Sequence, residues 1–231
     1  MRIAVPRFPG SNCDQDALAA LRDGLGVSAE YVWHETASLA GFDGVFVPGG
    51  FTYGDYLRCG AIASRAPIMT EVARVADLGM PVLGVCNGFQ ILCEAGLLPG
   101  ALLPNAGEKF LCQDVFMAAE GKGSFWTEGI SGVLRIPIAH MEGRYVCDEA
   151  TLRELEESGR VAFRYVNSDG SHGAGSNPNG STAAIAGVTN QRGNVLGMMP
   201  HPERAFSALL GGADGLAIIR GFERALSRAA A

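Results

Sequence analysis

Several features are missing from this 231-residue chain, and each absence narrows its function. No apolar run is long enough to span a bilayer, and Met1-Arg2-Ile3-Ala4-Val5-Pro6 shows no basic segment leading into an apolar core. The expectation is a soluble, cytoplasmic protein that does not engage membranes. Blocks of like charge are also missing, and the net charge of −6 argues against nucleic acid as a partner. The six cysteines (Cys13, Cys59, Cys86, Cys93, Cys112 and Cys147) include no C-x-x-C pair and no Cys/His ligand spacing. That pattern predicts reduced thiols and no metal site. Cys13, Cys93, Cys112 and Cys147 read as small, mostly buried core residues. There is no internal repeat and no linker. The one low-complexity stretch, Ser168 to Ser181, lacks the G-x-x-x-x-G-K-[ST] pattern of a phosphate loop.

What remains is enough for a full core: 48% hydrophobic residues in a length that suits one α/β domain, residues 1–231. Short apolar strands are expected at Arg2 to Val5, Glu30 to His34, Val45 to Val47 and Pro81 to Val85. Later strands are expected at Cys112 to Ala118, Leu134 to Ile138, Val161 to Val166, Ala183 to Thr189 and Asn194 to Met198. Helices are expected over Asp14 to Asp23, capped by Ser11 or Asn12, and from Pro67 to a stop at Gly79. Others are expected over Gly88 to Cys93 and over Glu149 to Glu157 behind Asp148. One terminal amphipathic helix is expected to turn Leu216, Ile219, Phe222 and Leu226 inward. This alternation predicts an α/β fold: a doubly wound, mostly parallel sheet with helices on both faces and a small antiparallel extension in the second half.

The chemistry is concentrated in two places. Pro81-Val-Leu-Gly-Val-Cys-Asn-Gly-Phe-Gln-Ile-Leu92 reads as strand, sharp turn at Cys86, then helix, the sequence form of a nucleophile elbow. A helix starting directly after Cys86 favours its thiolate. Far downstream, Pro200-His201-Pro202-Glu203 excludes a helix interior, and in an extended segment residues i and i+2 point the same way. Cys86, His201 and Glu203 are thus candidate nucleophile, base and orienter of an acyl-transfer triad. Val45 to Gly50 ends a strand in Pro48-Gly49-Gly50, where backbone N–H groups stay accessible. One of these, with the N–H of Asn87, is a candidate oxyanion hole.

These segments resemble a known family. The blocks Phe8-Pro-Gly-Ser-Asn-Cys-Asp14, Pro48-Gly-Gly-Phe-Thr-Tyr-Gly-Asp-Tyr-Leu-Arg58, Gly84-Val-Cys-Asn-Gly-Phe-Gln90, Ala139-His-Met-Glu-Gly-Arg-Tyr145 and Gly193 to Arg204 are similar to class I, triad-type glutamine amidotransferases. More narrowly they resemble the glutaminase subunits of phosphoribosylformylglycinamidine synthases, which act in purine biosynthesis. The resemblance implies Cys86 as nucleophile, His201 as base and Glu203 as its orienter. It implies Gly50 and Asn87 as oxyanion donors, and Gly49, Gly50 and Gln90 as glutamine-binding residues. Thr52, where serine is expected, and Met141, where glycine is expected, depart from the pattern outside the triad.

The resemblance also implies partners: a separate synthetase subunit carrying ATP and magnesium and, in some systems, a small third subunit. No cofactor is expected in this chain. Glutamine is the implied substrate, and the ammonia released would serve conversion of formylglycinamide ribonucleotide to formylglycinamidine ribonucleotide. Two alternatives are an amidotransferase serving another synthetase, and an elbow-cysteine hydrolase or stress protein of the same superfamily. Residues with open roles are His140, Glu142 and Arg144, a polar cluster after a proline-broken strand that reads equally as a substrate or partner contact and as a structural ion pair. Asp55 and Arg58 read as a loop that covers the site or meets a partner, or as a local ion pair. His34 reads as a surface group or one satisfied by backbone, and His172 as solvated.

Overall fold

In the computed structural model, residues 1–121, 123–173 and 175–229 are described. The chain opens with β1 (Arg2–Arg7), α1 (Asp14–Ala19), β2 (Ser28–Trp33), β3 (Gly44–Val47), α2 (Pro67–Asp77), β4 (Val82–Val85) and α3 (Asn87–Glu94). It continues with β5 (Ala101–Leu103), β6 (Leu111–Ala119), β7 (Val133–His140), β8 (Arg144–Val146), α4 (Glu149–Glu157) and β9 (Val161–Val166). It closes with β10 (Ile185–Thr189), β11 (Val195–Met198), α5 (Asp214–Ile219) and α6 (Gly221–Ala229).

Nine strands form one sheet in the order β2-β1-β3-β4-β11-β10-β9-β6-β7, and β5 pairs with β8 in a separate antiparallel ribbon. The pairings from β2 to β11 are parallel, and those from β11 to β7 are antiparallel. Chain order leaves β1 outward to β2, then returns to β3 and β4. Right-handed crossovers therefore place α1 and α2 on opposite faces. Both faces of the parallel strands are covered, so Val45–Val47 and Val82–Val85 are wholly buried without alternation. No helix among the described residues is long and apolar enough to cross a membrane.

Several local expectations change for physical reasons. Neither Ser11 nor Asn12 caps α1. Cys13 stands at the cap, while Ser11 Oγ accepts from Phe8 N–H at 3.0 Å and closes the preceding turn. The first helix relaxes into a wider turn over Ala20–Gly24. Pro137 does not break its strand: β7 is the edge of the sheet, where a missing N–H costs nothing on the open side. The terminal helix is two helices parted at Arg220, and the second begins by seating Phe222 edge-on against buried Trp126, with ring centroids 5.2 Å apart. Of the thiols read as core, Cys13 is buried, Cys93 and Cys147 are half-buried and Cys112 is exposed. The expected cap of α4 is present, with Asp148 Oδ1 accepting from Thr151 N–H at 2.7 Å.

Candidate active site

The carboxyl ends of β3, β4 and β11 lie side by side, at the position where open α/β sheets bind ligands. Cys86 follows β4 with φ 52° and ψ −109°, a strained conformation for a residue with a Cβ, and α3 starts at the next residue. Gly88 permits this tight turn, because a Cβ there would lie 2.0 Å from the Val47 carbonyl oxygen. Asn87 is the first residue of α3, so its N–H has no carbonyl one turn back within the helix. After β3, Gly49 is wedged among three site residues. A Cβ on it would lie 2.9 Å from His201 Cε1, 3.1 Å from Cys13 Sγ and 3.4 Å from Cys86 Cβ. Gly50 forms an antiparallel bridge with Ser11, which fixes the strand end next to the elbow.

His201 lies beyond β11 and is held from two sides. Its backbone N–H donates to Pro137 O of β7 at 2.8 Å, and its ring Nδ1 donates to Glu203 Oε1 at 2.7 Å. Both side chains are buried. The expected i, i+2 pairing is therefore present, although Pro202–Arg204 forms a short turn rather than a strand. Burial opposes a charged His201, but the Glu203 carboxylate and the nearby Cys86 sulfur outweigh it and push the imidazole well above its ordinary range. With Nδ1 committed to Glu203, Nε2 has no hydrogen-bond partner among the described residues and is free for proton transfer. The Cys86 thiol makes a long contact of 3.8 Å to Ala139 O at the end of β7.

A cavity of about 150 Å³ opens in front of Cys86, lined by Gly50, Asp55, Cys59, Gln90, His140 and Glu142 among others. Gly50 and Gln90 thus join Cys86 at the cavity wall, while Gly49 and Asn87 lie behind it. Asn87 is fully buried, and its side chain ties the wall together. Its Oδ1 accepts from Thr52 N–H at 3.2 Å, its Nδ2 donates to Gln90 Oε1 at 2.8 Å, and Gln90 Nε2 donates to Glu142 O at 2.6 Å.

The open residues separate. Arg58 pairs with Glu94 of α3, not with Asp55. Arg144 lies in β8, away from any ion pair with His140 or Glu142. His34 bonds the Tyr53 hydroxyl through Nδ1 at 3.0 Å, and His172 is exposed.

The sequence reading missed Cys13. Its thiol, the His201 ring and the Glu203 carboxylate each offer an atom, and these atoms lie within 4.8 Å of one another. Those are metal-ligand types, yet Arg204 Nη2 donates to Cys13 Sγ at 3.2 Å and a raised His201 brings further positive charge. That field disfavours a cation. Burial also pushes the Cys13 thiol up, so it remains protonated beside the triad. Its place inside the Phe8–Asp14 block was the available signal.

Comparison with known proteins identifies the family of this fold. Residues 1–211 match the CobB/CobQ-like glutamine amidotransferase domain family. The chain is 56% identical over 221 residues, covering 95% of its length and 94% of the relative's, to phosphoribosylformylglycinamidine synthase subunit PurQ of Thermomicrobium roseum. It superposes on a chain in the structure of PurLQS from Thermotoga maritima with TM-score 0.86 and 42% identity, covering 97% of this chain and 98% of that one. A second Thermotoga maritima protein, a glutamine amidotransferase, shares the fold at TM-score 0.58 and 14% identity, covering 99% of this chain and 97% of that one.

Proposed function

The chain belongs to the CobB/CobQ-like glutamine amidotransferase family, and from that premise we propose that it is the glutaminase subunit of a phosphoribosylformylglycinamidine synthase. The observation that carries the chemistry is the buried His201–Glu203 couple, whose Nε2 has no partner among the described residues and whose ring shares the surroundings of Gly49 with the strained Cys86 elbow. Glutamine enters the cavity and the Cys86 thiolate attacks its side-chain amide carbon. The N–H groups of Gly50 and Asn87 receive the developing oxyanion. His201 protonates the departing nitrogen, releasing ammonia and leaving a γ-glutamyl thioester. Water deprotonated by His201 then cleaves the thioester to glutamate. Both ends of the Gln90 amide are engaged, so Gln90 acts by holding the Glu142 wall, and Gly49 acts by letting His201 and Cys86 approach.

Ammonia at neutral pH is largely protonated, so its release is useful beside a second active site. A synthetase subunit, with a small third subunit in some assemblies, fits that need, as in the PurLQS structure the chain resembles. ATP and magnesium belong on that partner, and this chain uses its own side chains alone. Phe51, Tyr56 and Leu57 are exposed on the loop beside the cavity and offer apolar surface to it. Residues 1–231 form one amidotransferase domain, a reading supported by a sheet that interleaves strands from both ends of the chain. A biosynthetic subunit of this kind works in the cytoplasm.

The test is glutamate release from glutamine by the chain, alone and with its cognate synthetase loaded with formylglycinamide ribonucleotide and ATP. A strong rise with the loaded synthetase is expected. Cys86→Ala should lower that rate by at least about 10⁴-fold while leaving the fold intact. No release by a folded complex would sink the assignment.

A further inference from the structure

Behind the triad lies a polar cluster that the mechanism does not use. The Glu203 carboxylate is fully buried, and His201 Nδ1 satisfies only its Oε1. Oε2 has no hydrogen-bond partner among the described residues. A buried carboxylate left half-paired is costly, so the couple calls for compensating charge nearby. The next residue brings it. The short turn over Pro202–Arg204 closes with Arg204 N–H donating to His201 O at 3.1 Å, and the Arg204 side chain reaches the start of α1. There its Nη2 donates to Cys13 Sγ at 3.2 Å and its Nε to Asp16 Oδ2 at 3.0 Å.

Cys13 is the seat of that contact. Its backbone N–H donates to Gly49 O at 3.2 Å, and its sulfur would lie 3.1 Å from a Cβ on Gly49. The thiol donates to Asn12 Oδ1 at 3.1 Å, which leaves a sulfur lone pair to receive the guanidinium. Burial keeps this thiol neutral, so it adds no charge of its own. The same sulfur lies within 4.8 Å of ligand atoms on His201 and Glu203. Arg204 thus stands one sulfur away from the base and its carboxylate. Asp16, its other partner, is nearly half exposed and is screened by solvent.

The remaining charged and titratable groups around His201 are placed differently. Cys86 faces it from the elbow, with Asp55 and Glu142 across the cavity. His140, at the end of β7, is neutral. Asn105 Nδ2 donates to Lys109 O and His140 O, so Asn105 Oδ1 accepts the His140 Nδ1 proton at 3.1 Å. Burial, then the charge of His201, hold the His140 pKa at about 4. Asp114 and Arg135 share a recess with Arg204 but pair with each other. Among these groups, only Arg204 brings a fixed positive charge into contact with the cluster.

We propose that Arg204, seated on the Cys13 sulfur, is a positioning residue whose charge behind the His201–Glu203 couple sets the pH range in which Cys86 and His201 work together. This rests on the glutaminase reading above and adds its electrostatic control. Against the effect of burial, Glu203 and the Cys86 sulfur push His201 well above its ordinary range, and a base held charged cannot take a proton from water. A positive charge at the rear opposes that push and favours the Cys86 thiolate in the same field.

The experiment follows glutamate release against pH by the assembled, synthetase-loaded complex. Removing a fixed positive charge raises the pH at which every nearby acid gives up its proton. Arg204→Gln should therefore move both limbs of the kcat/KM profile to higher pH by about 1 unit, a loss of about 10-fold on the acid side with none on the alkaline side. Arg204→Lys keeps the charge and should restore the wild-type limbs. Cys13→Ala, which unseats the guanidinium, should shift them the same way by less. Alkylation of Cys86 by neutral iodoacetamide, read on its peptide by mass spectrometry, should show the same order of shifts without turnover.

A loss in Arg204→Gln by one factor at every pH would overturn the proposal, because it marks a merely structural role. Unshifted limbs, in turnover or in alkylation, would overturn it as well. Should Arg204→Gln fail to fold, an unshifted Cys13→Ala profile overturns it alone. Absence of glutamate release by the wild-type complex would instead sink the glutaminase assignment, while the alkylation profiles would still report the charge behind the couple.

Discussion

The parallel and antiparallel halves of the sheet build the site in different ways. The parallel strands β3, β4 and β11 deliver main-chain features at their ends: the Gly49–Gly50 turn, the strained Cys86 elbow and the His201 segment. The antiparallel half delivers the opposite wall from the end of β7. Its Pro137 O receives the His201 N–H, Ala139 O receives the Cys86 thiol, and His140 and Glu142 line the cavity. Three strands separate β7 from β11 in the sheet order, yet His201 touches Pro137. The sheet therefore curls until its far edge closes on Cys86, as accumulated strand twist allows. Reactivity comes from one half and confinement from the other.

Substitutions can test that division, beginning on the reactive side. Glu203→Gln keeps the shape but removes the charge that orients and raises His201. Glutaminase kcat should fall by about 10⁴-fold with little change in KM, measured by glutamate release in the complex. Asn87→Ala cuts the tie that runs from Thr52 through Gln90 to Glu142 O, joining the two halves. It strands buried polar groups and should cost about 2–3 kcal/mol in denaturant unfolding while lowering kcat.

On the confining side, His140 is neutral in the fold with a pKa of about 4, against 6.5 for the free group. The unfolded chain then binds more protons between those values, so the contribution is complete above about pH 6.5 and is lost as pH falls toward 4. A shift of that size corresponds to about 3 kcal/mol at most, and His140→Gln should flatten the acid limb of a stability–pH profile. The smallest effect belongs to Arg58→Ala, which removes a pair whose arginine is mostly exposed. Its stability cost should stay under about 1 kcal/mol, and a thermal melt with an unchanged midpoint would agree.

Legibility from sequence followed locality. The elbow was readable because strand, turn residue, Gly88 and helix are contiguous, and the α4 cap was readable because Asp148 bonds three residues ahead. The ends of β6, β9 and α2 moved by two residues or fewer from the pattern. The ribbon of β5 and β8 went unread, since three-residue strands carry too little periodicity. Pro137 misled because a proline's effect depends on whether its strand is an edge, which only the sheet order decides. Cys13 misled because a buried thiol looks alike in a core and beside a base.

By itself, the sequence determined the α/β alternation, the candidate nucleophile with its candidate base–carboxylate couple, and the family to which the chain belongs. These rest on spacings of a few residues, where backbone geometry alone dictates direction. Tertiary structure decided what those groups face: the Pro137 carbonyl that seats His201, the neutral tautomer of His140, and the meeting of Asp55 with Glu142 from segments far apart in the chain. Such properties depend on which distant segments share one cavity. Burial and charge there are set by the whole fold, and no local pattern encodes them.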